Sequence, residues 1–371
     1  MAKYKVLENK VFLLGFAFLV GIVLWFMPTP SGLSVPGQHA LAVVISTVLL
    51  WVSKTVPTGV GSLLMIGIVI CFMPEVEPSK FLGFWSQDTM WFVLVCFIFG
   101  AIMETSGLGK RLATFVFSLR NLFLIDMALF GLNTLFSIVG MAASFPKLVL
   151  LFPLVTSVAV FSGLSKEDPY VRHVAMMINV LANGTGVLVY SGFSLNPALG
   201  PLGGFTANYT TWFQMFFVPA LVLNVISFFI LYFLFLPPRG SKGFDVEQMK
   251  EQRSQLGPLK KEEIKAIVWL AIAVLLWSTS GITGLQTGFA AVLVAALIML
   301  PGIGMLTFKE FIDKTSWNTV FMLMGVLAIG ALGSTGFAKW IWGHILPANM
   351  PKNPMISLIL ISFLVEILHI P

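Results

Sequence analysis

The stretch Asp88-Thr-Met-Trp-Phe-Val-Leu-Val-Cys-Phe-Ile-Phe-Gly100-Ala-Ile-Met-Glu-Thr-Ser-Gly107-Leu-Gly-Lys110 decides how this chain is read, because it occurs twice. It returns as Asn318-Thr-Val-Phe-Met-Leu-Met-Gly-Val-Leu-Ala-Ile-Gly330-Ala-Leu-Gly-Ser-Thr-Gly336-Phe-Ala-Lys339. Thr89 pairs with Thr319 and Gly100 with Gly330, and one gap brings Gly107-Leu-Gly-Lys onto Gly336-Phe-Ala-Lys. Upstream, Leu49-Leu-Trp51 matches Leu275-Leu-Trp277, and Met73-Pro74 matches Leu300-Pro301. Two related apolar halves are the sequence pattern of many secondary transporters, which bind substrate between the repeats near the bilayer midplane.

Composition sets the solvent. Hydrophobic residues make up 57% of the chain and charged residues 10%, and mean hydropathy is +0.94. A soluble domain carries roughly 25% charge, so this chain buries most of its surface in lipid. Its 371 residues suffice for about ten spanning helices of about 20 residues each. The net charge of +6 is no nucleic-acid signal, because the basic residues sit in short loops between apolar runs and act as topology signals. Cys71 and Cys96 lie inside apolar runs and imply no disulfide framework. No small-residue cleavage site follows the first apolar run, which therefore counts as a span.

Apolar runs of helical length predict spans at 11–27, 39–52, 59–73, 90–106, 171–190, 212–236, 266–280, 288–300 and 319–335. No strand-like alternation of the barrel type is present. The fold class is therefore an all-α polytopic membrane protein with two inverted-topology repeats, re-entrant hairpins and broken helices. Its parts are an N-terminal span (1–37), a first repeat (38–236), a cytoplasmic linker (237–265) and a second, incomplete repeat (266–371). The linker is the one long polar stretch. With Lys3, Lys5, Lys10 and the Lys110-Arg111 loop, its basic residues place the N-terminus in the cytoplasm. Counting crossings from there puts the second span and its repeat partner in opposite orientations. The run 121–163 is too long for one crossing, roughly right for two half-crossings, and breaks at Gly140-Met-Ala-Ala-Ser144-Phe-Pro146-Lys147, which predicts a re-entrant hairpin with its tip deep in the protein; two ordinary helices joined by a short loop are the alternative.

The strongest local signal is 183–197. Gly184, Gly186, Gly192 and Pro197 predict that the helix unwinds over 184–191, freeing carbonyls for a cation and N–H groups for an anion. Asn183, Thr185, Ser191 and Asn196 add side-chain donors and acceptors. Small-residue helix packing gives the same composition. Lys147 is the most unusual single residue. A lysine at a buried tip costs several kcal/mol unless paired or hydrated, and so marks a site; snorkelling to the surface is the alternative. Glu104 reads as a helix-end carboxylate, Asp126 and Glu366 as acids on hairpin arms, and His173 as an interfacial histidine. Nothing points to an enzyme: the chain has no phosphate loop, no metal-spaced His/Cys set and no Ser-His-Asp pattern.

These pieces together resemble the divalent anion:sodium symporter family of the ion-transporter superfamily. The resemblance is carried by Gly107-Leu-Gly-Lys-Arg111, Leu-Phe-Pro153-Leu-Val, Asn183-Gly-Thr-Gly-Val-Leu-Val-Tyr-Ser191-Gly-Phe-Ser-Leu-Asn196-Pro197, Trp212 with Pro219, and Trp317-Asn318-Thr319 with Gly330 and Gly336. It implies a scaffold that holds homodimer contacts and a transport body that slides like an elevator. It also implies secondary active transport of small divalent anions, dicarboxylate or sulfate, across a bacterial inner membrane, with sodium as coupling ion and no other cofactor. Sodium-independent anion exchange, cation/proton antiport and an ion channel are the alternatives.

The family carries Ser-Asn-Thr at each tip. Here the first tip reads Ala143-Ser144-Phe145, with Lys147 following, and the second aligns at His369-Ile370-Pro371. The candidate anion ligands are Ser144, Lys147, Asn183, Thr185, Asn196 and His369. The candidate cation ligands are Ser144, Gly184, Gly186 and Ser191. Pro371 aligns with Pro146, which gives the expectation of a chain cut short in its second repeat.

Overall fold

A computed structural model describes residues 10–140, 144–193, 195–205, 207–345, 356–357 and 360–362. Glu366, His369 and Pro371 lie outside them. Among the described residues every regular element is helical. Backbone groups cannot find partners in lipid, so an apolar segment of this length satisfies them within itself as a helix.

The chain forms two compact units, 1–84 with 321–371 and 85–320. In the first unit, α1 (Lys10–Phe26), α2 (Val35–Ser53) and α3 (Thr58–Phe72) pack in sequence order. Gln38 is buried in α2, and its amide donates to the carbonyls of Leu24 (2.9 Å) and Met27 (2.6 Å), satisfying the end of α1. The His39 ring stacks on Trp25 at 4.0 Å. The three helices line an open apolar cavity of about 440 Å³.

The second unit holds α4 (Asp88–Thr105), α5 (Leu108–Phe117), α6 (Leu122–Ile138), α7 (Ser144–Phe161), α8 (Pro169–Leu188), α9 (Asn196–Gly203) and α10 (Tyr209–Leu234). The linker helix α11 (Val246–Gln255), then α12 (Lys261–Ser278), α13 (Thr287–Ile298) and α14 (Phe308–Lys314) complete it. α8 is the hub and packs on α6, α7 and α10, while α4 packs on α13. Asp88 opens α4, and its carboxylate caps α13 by accepting from the N–H groups of Gly288 (2.6 Å) and Phe289 (3.1 Å).

α15 (Trp317–Leu332) and α16 (Phe337–Ile345) follow. Each expected span falls on a helix, with ends shifted by a few residues. Among the described residues four helices, Val35–Ser53, Asp88–Thr105, Tyr209–Leu234 and Trp317–Thr335, are long and apolar enough to cross a bilayer alone. The duplicated stretch has one local structure in both copies. A spanning helix ends at a glycine in the left-handed region, Gly107 (φ 80°) or Gly336 (φ 89°), and a short helix follows.

The hairpin differs from expectation in where it turns. The chain leaves α6 at Ile138, Gly140 is left-handed (φ 84°), and α7 has begun by Ser144. Pro146 therefore breaks nothing. It sits in the first turn of α7, where a backbone N–H would have no helical partner. The arms are 17 and 18 residues long, about 25 Å each at 1.5 Å per residue, longer than the half-crossings expected.

Candidate functional site

The sequence expectation for the broken helix needs correction. α8 is continuous through Leu188, so Gly184 and Gly186 are helical. The chain departs at Val189 (φ −127°, ψ 141°), makes a tight turn over Tyr190–Gly192, and restarts a helix at Asn196. The glycines serve close approach rather than unwinding. A Cβ on Gly186 would stand 2.8 Å from the Gly192 carbonyl oxygen, and one on Gly192 would stand 2.5 Å from that of Gly186.

Side chains replace the missing helix continuation. Asn196 Nδ2 donates to the carbonyls of Gly186 (2.8 Å) and Val189 (2.9 Å). Trp212 Nε1 donates to Val187 O at 2.9 Å, and Asn224 Nδ2 to Gly184 O at 2.9 Å. A helix end leaves its last four carbonyls without helical partners; here Asn196 takes that of Gly186 and Trp212 that of Val187, while Asn224 reaches Gly184 just before them. The carbonyls of Gly184 and Gly186, expected as free cation ligands, are hydrogen-bonded in this conformation.

Beside this break lies Lys147, in the first turn of α7. It is fully buried, so the snorkelling alternative is excluded. Its Nζ donates to Ser137 Oγ at 2.6 Å and lies 3.3 Å from Ala182 O. Among the described residues no carboxylate pairs with it. Ser137, thus occupied as an acceptor, donates its own hydrogen to Asn133 O at 2.9 Å. Thr185 Oγ1 is 3.5 Å from Ser137 Oγ and reaches back to Leu181 O at 2.6 Å. Ser191 donates to Ser137 O at 2.7 Å and lies 3.2 Å from Ile138 O, closing the end of α6.

The structure therefore brings Lys147, Thr185, Ser191 and Asn196 together around the end of α8 and the turn over Tyr190–Gly192. Asn183 falls on the other side of α8, exposed, with its amide on Asn179 O at 2.8 Å. Ser144 opens α7 three residues before Lys147. His369 is outside the described residues. The sequence reading missed Ser137, the hydroxyl that holds Lys147. Its signal was its spacing: Asp126, Asn133 and Ser137 recur at seven and four residues, one face of an otherwise apolar helix. His173 also differs from expectation. It is fully buried rather than interfacial, and so is Asp126. Glu104 pairs with Lys314 near the surface.

A cluster of aromatic rings borders the turn. Phe92 lies 5.2 Å from Tyr190 and 5.3 Å from Trp277, and Tyr209 lies 5.4 Å from Tyr190, centroid to centroid. Lys147 Nζ thus lies in the first turn of α7, against the C-terminal parts of α6 and α8.

These features define an all-α polytopic membrane protein with a buried lysine beside a helix break. The sodium:sulfate symporter transmembrane region matches residues 8–370, and the chain belongs to this family. It is similar to dicarboxylate transporter 1 of Spinacia oleracea chloroplasts, 26% identical over 340 residues, covering 87% of this chain and 58% of that protein. The Arabidopsis thaliana chloroplast protein of the same name is 24% identical, covering 86% of this chain and 59% of its own length. An L-tartrate/succinate antiporter of Escherichia coli is 23% identical, covering 93% and 77%. The chain thus spans less than two thirds of the length of the two plant proteins. The family and these relatives are transporters, not enzymes, and those named by substrate carry small dicarboxylates.

Proposed function

We propose that this protein is a secondary active transporter of small divalent anions, in which Lys147 supplies part of the positive charge that a coupling cation supplies elsewhere. The observation that carries this is a fully buried ammonium, at a helix N-terminus, with hydroxyl and carbonyl partners and no described carboxylate. When protonated, a lysine fixed at this point attracts a dianion without a sodium gradient. Exchange of one dicarboxylate for another follows, and the relative named as an antiporter supports it. Thr185, Ser191 and Asn196 are the polar neighbours of the anion, and Ser144, Asn183 and His369 stand as further ligands. The duplicated stretch supports inverted repeats and elevator-like movement of the hairpin with α8, in a homodimer with a cytoplasmic N-terminus. Sodium symport is the second reading, favoured by the family description; Ser144, Ser191 and carbonyls of Gly184 and Gly186 would then hold the cation after the turn rearranges.

The test is uptake of labelled tartrate or succinate into proteoliposomes, with sodium titrated against choline, for wild type and Lys147→Ala. Sodium-independent counterflow, abolished in Lys147→Ala, is expected. Steep sodium dependence in the wild type, unchanged in Lys147→Ala, refutes the role of Lys147. No uptake of any dianion refutes the anion-transport reading itself.

A further inference from the structure

A second buried polar cluster lies on the same face of α6, away from Lys147. Asp126 and His173 are both fully buried. His173 Nε2 is 2.7 Å from Asp126 Oδ2, and its Nδ1 is 3.0 Å from the carbonyl oxygen of Phe235, just past the end of α10. The pair therefore ties an arm of the hairpin to α8 and α10.

The proton inventory follows from the partners. A carbonyl only accepts, so Nδ1 carries a hydrogen. One further proton lies between Nε2 and Oδ2, either as imidazolium with carboxylate or as imidazole with carboxylic acid. Both forms are net neutral. The remaining oxygen, Asp126 Oδ1, is buried with no hydrogen-bond partner. Buried carboxylate oxygens are hydrogen-bonded in the large majority of cases, so this one marks a place for a donor or a proton. Asn133 Oδ1, seven residues along the same face, is also buried and without a partner. Ser137 and Lys147 come next, so a line of polar groups runs along α6 toward the site.

Other charges are held elsewhere. Asp126 is the sole charged residue of α6. From α8, Tyr170 stands near it, while Arg172 is exposed. From α10, Tyr232 meets His173 edge-on at 5.7 Å. From α5, Arg111 is committed to Glu263 and Lys110 is exposed. Lys147, the one charged residue of α7, is held by Ser137.

We propose that Asp126 and His173 form a proton-binding site, in which the shared proton stays on His173 Nε2, Asp126 Oδ1 takes up the second proton, and the loaded pair, imidazolium with carboxylic acid, carries one positive charge. Resting on the transport reading above, the site makes dianion transport proton-coupled. The bound proton offsets one charge of the dianion as the hairpin, α8 and α10 move.

Two measurements test this. In the wild-type protein, acidification should change the carboxyl region of the infrared difference spectrum, raising a protonated-carboxyl band or shifting one already present. That change should be missing in Asp126→Asn. In proteoliposomes with trapped pyranine, tartrate uptake should acidify the lumen and quicken at lower pH. Asp126→Asn and His173→Gln should lose the acidification and flatten the pH profile. Absence of the spectral change, or variants with the wild-type pH profile and acidification, overturns the proton site and leaves a structural clasp. The spectral change without any anion uptake overturns the transport reading instead, so the two failures are distinct. The wild-type spectrum decides the matter even where a variant does not fold.

Discussion

Arg111→Ala should destabilise the protein by about 2 to 3 kcal/mol, a value bracketed by exposed pairs near 0.5 and buried pairs at 3 to 5. Arg111 lies in α5, just past the left-handed Gly107, and grips the far end of the linker. Its Nε is 2.7 Å from Glu263 Oε1 and its Nη2 2.9 Å from Oε2, a two-point fork. Its remaining N–H groups reach Gly257 O (2.8 Å) and Pro258 O (3.1 Å). The Glu263 side chain is 4% exposed and that of Arg111 20%, so solvent screens the pair on one side only. Truncation strands the carboxylate with one partner, the backbone N–H of Lys260 at 2.8 Å. Arg111→Lys keeps the charge but loses the fork, and should cost about half as much.

The assay is equilibrium unfolding in detergent micelles followed by tryptophan fluorescence. The pH dependence has a definite sign. Arg111, and then the Lys260 N–H, hold the Glu263 carboxyl below its ordinary 4.5. Its stabilisation is therefore complete above 4.5 and is lost as pH falls through the lower folded value. The gap between wild type and Arg111→Ala should stay constant through neutrality and close in acid. A difference below about 0.5 kcal/mol at neutral pH, the level of an exposed pair, refutes the reasoning.

Gly192→Ala should cost at least about 1 to 3 kcal/mol, because its Cβ would meet Gly186 backbone and Ser137 Cβ, at 2.5 and 2.8 Å; thermal unfolding reads the stability, and anion uptake should fall with it. Asp88→Ala removes the cap of α13 and should cost about 1 to 2 kcal/mol, measured in the same unfolding assay, while Asp88→Asn should recover part of it. Lys147→Met, close in volume but uncharged, should leave stability unchanged or raise it while abolishing anion binding. Thermal stabilisation by tartrate, present in wild type and absent in Lys147→Met, checks the last of these.

Much of this protein is legible in its sequence, and the reason is the solvent. A chain that is 57% hydrophobic must satisfy its backbone within helices, so apolar run length locates α1 to α4, α8, α10, α12, α13 and α15 without any knowledge of packing. Gly107 and Gly336 announce their turns because only glycine takes the left-handed region freely. Lys147 stands out because an ammonium amid apolar residues must be explained. Tertiary structure alone decided the rest. Whether Gly184 and Gly186 unwind a helix or admit a close neighbour depends on what packs there, and Gly192 and Asn224 arrive from outside α8. Asn183 and Thr185 carry equal promise as sequence, yet two positions on a helix point apart, and contact with Ser137 selected Thr185. His173 met Asp126 across a separation of 47 residues, and Arg111 met Glu263 across 152. Local pattern sets which segments are helices; only the packing of α6, α7, α8 and α10 sets which polar groups those helices enclose.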